Sequence, residues 1–236
     1  MIDWAWIGDH LDELAFRTLQ HLYLTAIAVV VGFAISFALA VWSIRRRAVY
    51  PPIAALAGVL YTLPSLALFA ALVPVTGLRS IVTAEFPLVA YTLLIFLRNI
   101  VSGFDAVPRE VLEAADGMGY TPRRRLWLVE LPLAIPLVIA GIRLATVSTI
   151  GLVTITGILG DSLGGLGFFI FEAYRRSFLT ETLMGAIPLM ILAVVADIVL
   201  VRLQRRLTPW SRPTRPSEDA TITTADQLPM RPAGLQ

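Results

Sequence analysis

Glu113, Ala114 and Ala115 are followed by Gly119, then by Val129 and Leu131-Pro132, in an island of charge between two strongly apolar stretches. Residues of these types do non-covalent work. Alanines let another surface approach closely, glycine permits a sharp turn, and carboxylate and guanidinium groups offer ion pairs. Pro108 pre-sets a first helical turn, Val111, Ala114, Ala115 and Met118 recur at helical spacing, and Gly117 and Gly119 offer a stop. A second start follows at once, with Thr121 as the cap and Pro122 at the first helical position. Two short helices joined by a tight glycine turn are predicted, carrying Arg123, Arg124 and Arg125, and such an element is built to dock. The plainer reading is a solvated amphipathic loop whose charges keep it in water.

Covalent catalysis finds little equipment here, and the chain is expected not to be an enzyme. Every basic residue is arginine, so the glycine-rich loop ending in Lys-Ser or Lys-Thr that grips nucleotide phosphates is excluded. With no cysteine there are no disulfides, thiolate metal sites or cysteine nucleophiles. Gly160, Gly164, Gly165 and Gly167 follow an apolar run and precede Phe168, Phe169 and Phe171, which reads as an external turn and a short interfacial helix, not a dinucleotide loop. His10 and His21 stand eleven apart without metal spacing around them, so interfacial hydrogen-bonding roles are expected and no metal or cofactor site. No nucleic-acid partner is implied.

The elements that must position the island are membrane spans. Apolar residues make up 57% of the chain and charged ones 15%, and the apolar residues fall in long runs that a soluble core of 236 residues does not need. Segments 19–44, 50–75, 131–158 and 183–201 approach or exceed the roughly 20 residues that cross a bilayer. A fifth, 86–101, is shorter and contains Arg98 near its end. The expectation is an all-α polytopic bundle of about five spans. Asp3, Asp9, Asp12 and Glu13 outnumber Arg17 before the first span, whereas Arg45, Arg46 and Arg47 come straight after it, so the amino terminus is placed outside. Alternation then puts Arg109, Arg123 to Arg125, Arg202, Arg205 and Arg206 in the cytoplasm, and Arg79, Arg175 and Arg176 outside. The acidic start argues against a cleaved signal. Residues 1–18 are read as an extracytoplasmic segment, 19–207 as the membrane domain with its loop at 104–132, and 208–236 as a disordered cytoplasmic tail rich in proline. No fused binding domain is expected.

The spacing from Glu113 to Pro132 resembles the cytoplasmic coupling loop, or EAA loop, of bacterial ABC-importer permeases, with Val129 where that pattern usually has Ile. The resemblance covers about residues 20 to 205. It implies a multi-pass protein of the bacterial inner membrane in which Ala114 and Ala115 settle shallowly into a groove of an ATPase subunit, Gly119 permits the turn, and Glu113 anchors the partner. Arg123, Arg124, Leu131 and Pro132 complete the implied contact. ATP and Mg would belong to that subunit, and a solute-binding protein and a second permease, identical or paralogous, would complete the assembly. Tyr61-Thr-Leu-Pro-Ser-Leu-Ala-Leu68 and the string from Leu131 through Arg143 to Val147 look like the osmoprotectant branch, which moves glycine betaine, choline, carnitine or related solutes. Asp161 and Ser162 depart from the small residues expected in that branch's turn. A methionine-type importer is the alternative cargo class; a secondary transporter or a scaffold without transport is a further alternative, although no inverted repeat is evident.

Thr146, Thr149 and Thr156, with Val153, recur at spacings of three and four and form one mildly polar stripe that either lines a pathway or back-bonds to its own helix. Tyr61, Thr62 and Ser65 around Pro64 stand likewise, since a proline break either opens a gate or is a tolerated kink. Arg143 and Asp197 lie within spans, where an ionised group costs on the order of 2.5 to 3.5 kcal/mol, so the two are expected to pair with each other or both to face the aqueous inner vestibule, the alternative being that each lies nearer the cytoplasmic surface and snorkels.

Overall fold

The computed structural model describes residues 2–211, and among them every regular element is helical. A short amino-terminal helix, α1 (Trp4–Asp9), precedes α2 (Leu11–Arg45), which at 35 residues is roughly 50 Å long and overshoots the bilayer core. Then come α3 (Tyr50–Thr62), α4 (Ser65–Thr76) and α5 (Ile81–Asp105). The short helices α6 (Arg109–Gly117) and α7 (Pro122–Arg125) lead into α8 (Leu131–Val153), α9 (Gly167–Arg176) and α10 (Leu179–Leu207).

Helix α5 is the hub. It packs on α2, α3, α4 and α8, and buries Leu88, Phe96, Leu97 and Ile100 completely or nearly so. Lipid tails are as apolar as leucine, so helices in a membrane associate through close packing and polar contacts instead of the hydrophobic effect. Small residues make that approach possible here. A β-carbon on Gly32 of α2 would overlap the Thr92 hydroxyl of α5, and one on Gly141 of α8 would lie 2.6 Å from Cβ of Asn99.

The predicted span 50–75 is not one straight helix: α3 and α4 meet at an angle of 90°. Leu63 is extended, with φ −65° and ψ 135°, because the ring of Pro64 disfavours the helical region for the residue before it. By length and apolarity four helices can cross a membrane, and the bent pair brings the number to five. Packing requires the bent pair to traverse the bundle. Leu24 and Ala28 meet Ala84 and Leu88, Phe33 meets Phe96, and Arg47 meets Asp105 at 2.5 Å, so α2 and α5 run parallel. The chain between them must therefore return from one end of the bundle to the other.

Other boundaries shift as well. The predicted 86–101 extends to Ile81–Asp105 and takes in Glu85, which is buried. The predicted start at Leu131 is overrun: helix is continuous from Pro122 to Leu159, through a π-helical turn at Leu126–Glu130 and a final 3-10 stretch at Thr154–Leu159. Pro132 cannot supply an N–H and its ring crowds the carbonyl four residues back, and a wider π turn at that place relieves both problems. Most of the predicted tail lies outside the described residues; Pro209–Ser211 forms a 3-10 turn.

Candidate functional site: a docking end, a central cavity and a charged pair

Antiparallel packing of α8 on α5 and of α10 on α8 gathers one set of ends. Gly103 faces Ala134, and Gln204 Nε2 donates to the Pro136 carbonyl at 3.3 Å. The island found in the sequence sits at this end as α6, a turn, and α7. Gly119 has φ +79°, a backbone region open to glycine and strained for other residues, and its N–H donates to the Asp116 carbonyl at 2.9 Å. Thr121 caps α7 by accepting from the Arg124 N–H at 3.4 Å. Glu113, Ala114, Gly119, Arg123 and Arg124 are exposed, Leu131 and Pro132 half-buried. Ala115 is 1% exposed, which corrects the expectation that both alanines face outward: it packs inside the chain and leaves Ala114 as the free small residue.

Arg125, which the sequence does not single out from Arg123 and Arg124, holds the element together. Its Nε donates to Glu130 at 2.8 Å and its Nη1 to Asp116 at 2.5 Å, tying α6 to the π turn across the glycine bend. Arg124 lies over the Tyr120 ring, 4.7 Å from its centroid. Beside them a hollow of about 340 Å³ is lined by Arg45, Arg123, Arg125 and Glu130, among others. The arrangement offers a partner exposed guanidinium groups over a small-residue ridge, on a backbone stiffened from beneath.

Partway along the bundle, α3, α5 and α8 line a half-open cavity of about 270 Å³. Tyr61 and Thr149 both line it, together with Tyr91, Thr92, Ser148 and Leu152. The other predicted pathway residues do not converge there. Thr62 donates to the Val59 carbonyl at 2.8 Å and Thr146 to the Ile142 carbonyl at 2.7 Å, satisfying their own helices. Thr156 is fully buried and donates to the carbonyls of Val153 and Leu163, and Val153 is itself in the core. The threonine stripe is thus divided: Thr146 back-bonds within α8, Thr149 lines the cavity, and Thr156 is packed in the core within the 3-10 stretch. Pro64 caps α4 and Ser65 opens it, half-buried, at the bend.

Arg143 of α8 and Asp197 of α10 form a two-pronged ion pair: Nε donates to Oδ1, and Nη2 to Oδ2 at 3.0 Å. Both remain partly accessible, at 43% and 35% of their side chains, beside a second cavity lined by Ala140, Leu144 and Val147.

At the opposite end, α2 clasps the glycine-rich turn, a contact that no sequence signal announced. Arg17 donates to the Asp161 carbonyl and lies 3.8 Å from the Phe168 ring centroid. Gln20 donates to the Ser162 carbonyl at 2.7 Å and accepts from the Gly165 N–H at 2.9 Å. His21, expected at an interface, is 0% exposed: Nε2 donates to the Ile150 carbonyl at 2.9 Å, and Nδ1 accepts from the Leu166 N–H at 3.3 Å. Asp161 and Ser162 therefore serve through their backbone carbonyls. His10 instead stacks on Trp6, with centroids 4.0 Å apart.

Residues 28–212 match the model of the family described as the binding-protein-dependent transport system inner membrane component. The chain is 38% identical over 197 residues to the choline transport system permease protein OpuBB of Bacillus subtilis (strain 168), covering 84% of this chain and 89% of that one. To the osmoprotectant import permease protein OsmW of Salmonella typhimurium (strain LT2) it is 36% identical over 208 residues, covering 85% and 94%. In fold it is similar to an inward-facing conformation of the MetNI methionine ABC transporter, with a TM-score of 0.71 at 22% identity, over 83% of this chain and 96% of that one.

Proposed function

This chain belongs to the binding-protein-dependent transport system inner membrane component family, and we propose that it is the permease of an ATP-driven importer for small quaternary ammonium osmoprotectants such as glycine betaine, choline or carnitine. As an inner-membrane, multi-pass permease subunit it supplies the path. ATP and Mg are handled by a separate ATPase subunit, consistent with a chain in which lysine is absent and the phosphate-gripping loop with it.

The observation that carries the reading is the docking end. Glu113, Ala114, Arg123 and Arg124 are presented together on a bent element whose second half runs without interruption into α8. Displacing α6 and α7 therefore moves α8 as a lever, and α8 forms one wall of the central cavity. Arg45 to Arg47, Arg109, Arg123 to Arg125, Arg202, Arg205 and Arg206 gather toward this end, which the positive-inside tendency puts in the cytoplasm beside the nucleotide. Five spans supply half of an enclosing wall, so a second permease, a copy or a paralogue, closes the path. A solute-binding protein delivers cargo to the clasped end, and ATP-driven closure of the ATPase pair switches access. The names of the choline and osmoprotectant relatives support the cargo class.

Reconstitution tests this directly. Proteoliposomes holding the permease, its ATPase and its binding protein are expected to take up choline, betaine or carnitine only with internal ATP. Uptake of methionine with none of these would overturn the cargo class, and ATP hydrolysis by the permease alone would overturn the division of labour.

A further inference from the structure

Tyr61 and Tyr91 stand with ring centroids 5.4 Å apart and planes at 48°, forming an open wedge in the wall of the central cavity. We propose that this wedge is a transit site within the permease itself for the trimethylammonium head of the cargo, a proposal that rests on the cargo class argued above. A cation on the open side of the wedge lies within the ~6 Å of both centroids over which ring faces attract positive charge. A carboxylate or hydroxyl on the far end of such a solute faces the hydroxyls of Ser148 and Thr149, contributed by α8. The lining includes no carboxylate. That matters for a route: rings attract a cation without the deep trap that an ion pair in a low-dielectric site would create, so the solute is held and released. At about 270 Å³ the cavity falls just under the ~300 Å³ at which drug-sized pockets begin, in keeping with a small osmolyte.

The site is also tied to the bend. Tyr61 lies in the last turn of α3, and the Tyr91 hydroxyl donates to the carbonyl of Leu63, the extended residue at the break. The Leu63 N–H still donates to the Val59 carbonyl at 3.3 Å, whereas its own carbonyl is released from the helical ladder at the break, and Tyr91 satisfies it. A change in the angle between α3 and α4 withdraws that acceptor, swings Tyr61 relative to Tyr91 and dismantles the wedge.

The test uses the permease–ATPase complex in lipid nanodiscs, without nucleotide or binding protein, and radiolabelled choline as probe. Bound choline is expected to be displaced by glycine betaine and not by the uncharged tert-butyl analogue of choline. Tyr61→Leu and Tyr91→Leu should each weaken binding on the order of tenfold, and Tyr61→Phe, which keeps the ring, should regain most of what Tyr61→Leu loses. Failure of the parent complex to retain choline, equal competition by the tert-butyl analogue, or folded leucine variants that bind like the parent would each overturn the site. If a leucine variant does not fold, competition on the parent complex decides. Choline uptake by the complete transporter alongside any of those results leaves the proposed function standing and removes this site alone; uptake of methionine without any quaternary ammonium solute removes the cargo class.

Discussion

Arg125 and Glu130 are bonded at 2.8 Å, and Glu130 keeps only 8% of its side chain accessible, so the carboxylate at the root of α8 depends on a guanidinium from α7. Because Arg125 also reaches Asp116 at 2.5 Å, one side chain spans both arms of the bend. Arg125→Met strands Glu130, and an unsatisfied buried acceptor costs about 1–3 kcal/mol. The expected outcome is a lower Tm of the purified complex together with weakened ATPase stimulation. Pairing Arg125→Met with Glu130→Leu should recover much of the Tm, since no buried charge is then left alone, without restoring the stimulation.

Gly119 tests the bend without disturbing packing, because a β-carbon there would meet nothing within 4 Å. Its φ of +79° disfavours an L side chain by about 1–2 kcal/mol, so Gly119→Ala should reduce coupling modestly. Gly119→Pro is incompatible with that φ and removes the N–H bonded to Asp116, a penalty of ~3 kcal/mol or more. ATP-driven uptake in proteoliposomes should fall by more than about tenfold while the protein still inserts and purifies. Normal uptake by the proline variant would dismiss the docking assignment.

Arg143 and Asp197 should behave as a unit. Reversing either one places two like charges together within the membrane, where a single unpaired ionised group already costs on the order of 2.5–3.5 kcal/mol. Arg143→Asp and Asp197→Arg are each expected to abolish transport or insertion, and the double reversal to restore much of it. Uptake and membrane-inserted yield, measured side by side for the four proteins, separate a transport role from a folding one.

Topology is accessible because the chain carries no cysteine. Arg124→Cys is expected to react with an impermeant thiol reagent only in inside-out vesicles. Tyr174→Cys, at a residue 85% exposed on the opposite end, should react only in intact cells. Labelling of the Arg124 position from the exterior would reverse the orientation and rule out the proposed docking of α6 and α7 to a cytoplasmic ATPase.

Packing at the small-residue crossings gives a stability contrast. Gly141→Val forces a side chain into Asn99, whose Cβ already stands 2.6 Å from an added β-carbon, whereas Gly58→Ala on α3 meets nothing within 4 Å. Overpacking of this kind costs about 1–3 kcal/mol. The first variant should lower the yield of folded protein in detergent, and the second should not.

Features that depend on local chemistry were legible along the chain. The caps at Thr121 and Pro122, the turn at Gly119 and the apolar runs all follow from what adjacent residues do to their own backbone. Boundaries were less legible where a charge sits inside a helix, as Glu85 does, because hydropathy alone stops short of it. Of the pathway candidates, Tyr61 and Thr149 reached a common cavity, and the rest did not, since a periodic stripe reveals which residues share a helix face and nothing about whether a neighbour covers it.

Membrane class, helical content, the two short helices around the Gly119 turn and the family resemblance were therefore determined by the order of residues, each through interactions no longer than a helical turn or a bilayer width. Tertiary structure decided the rest. That Tyr91 meets Tyr61, that Arg143 finds Asp197 across 54 positions, and that Arg17, Gln20 and His21 grip a turn more than 140 residues away are consequences of which helices lie side by side. Such pairings arise from the close packing of small residues and the need to satisfy polar groups in lipid, and both act between segments that no local pattern connects.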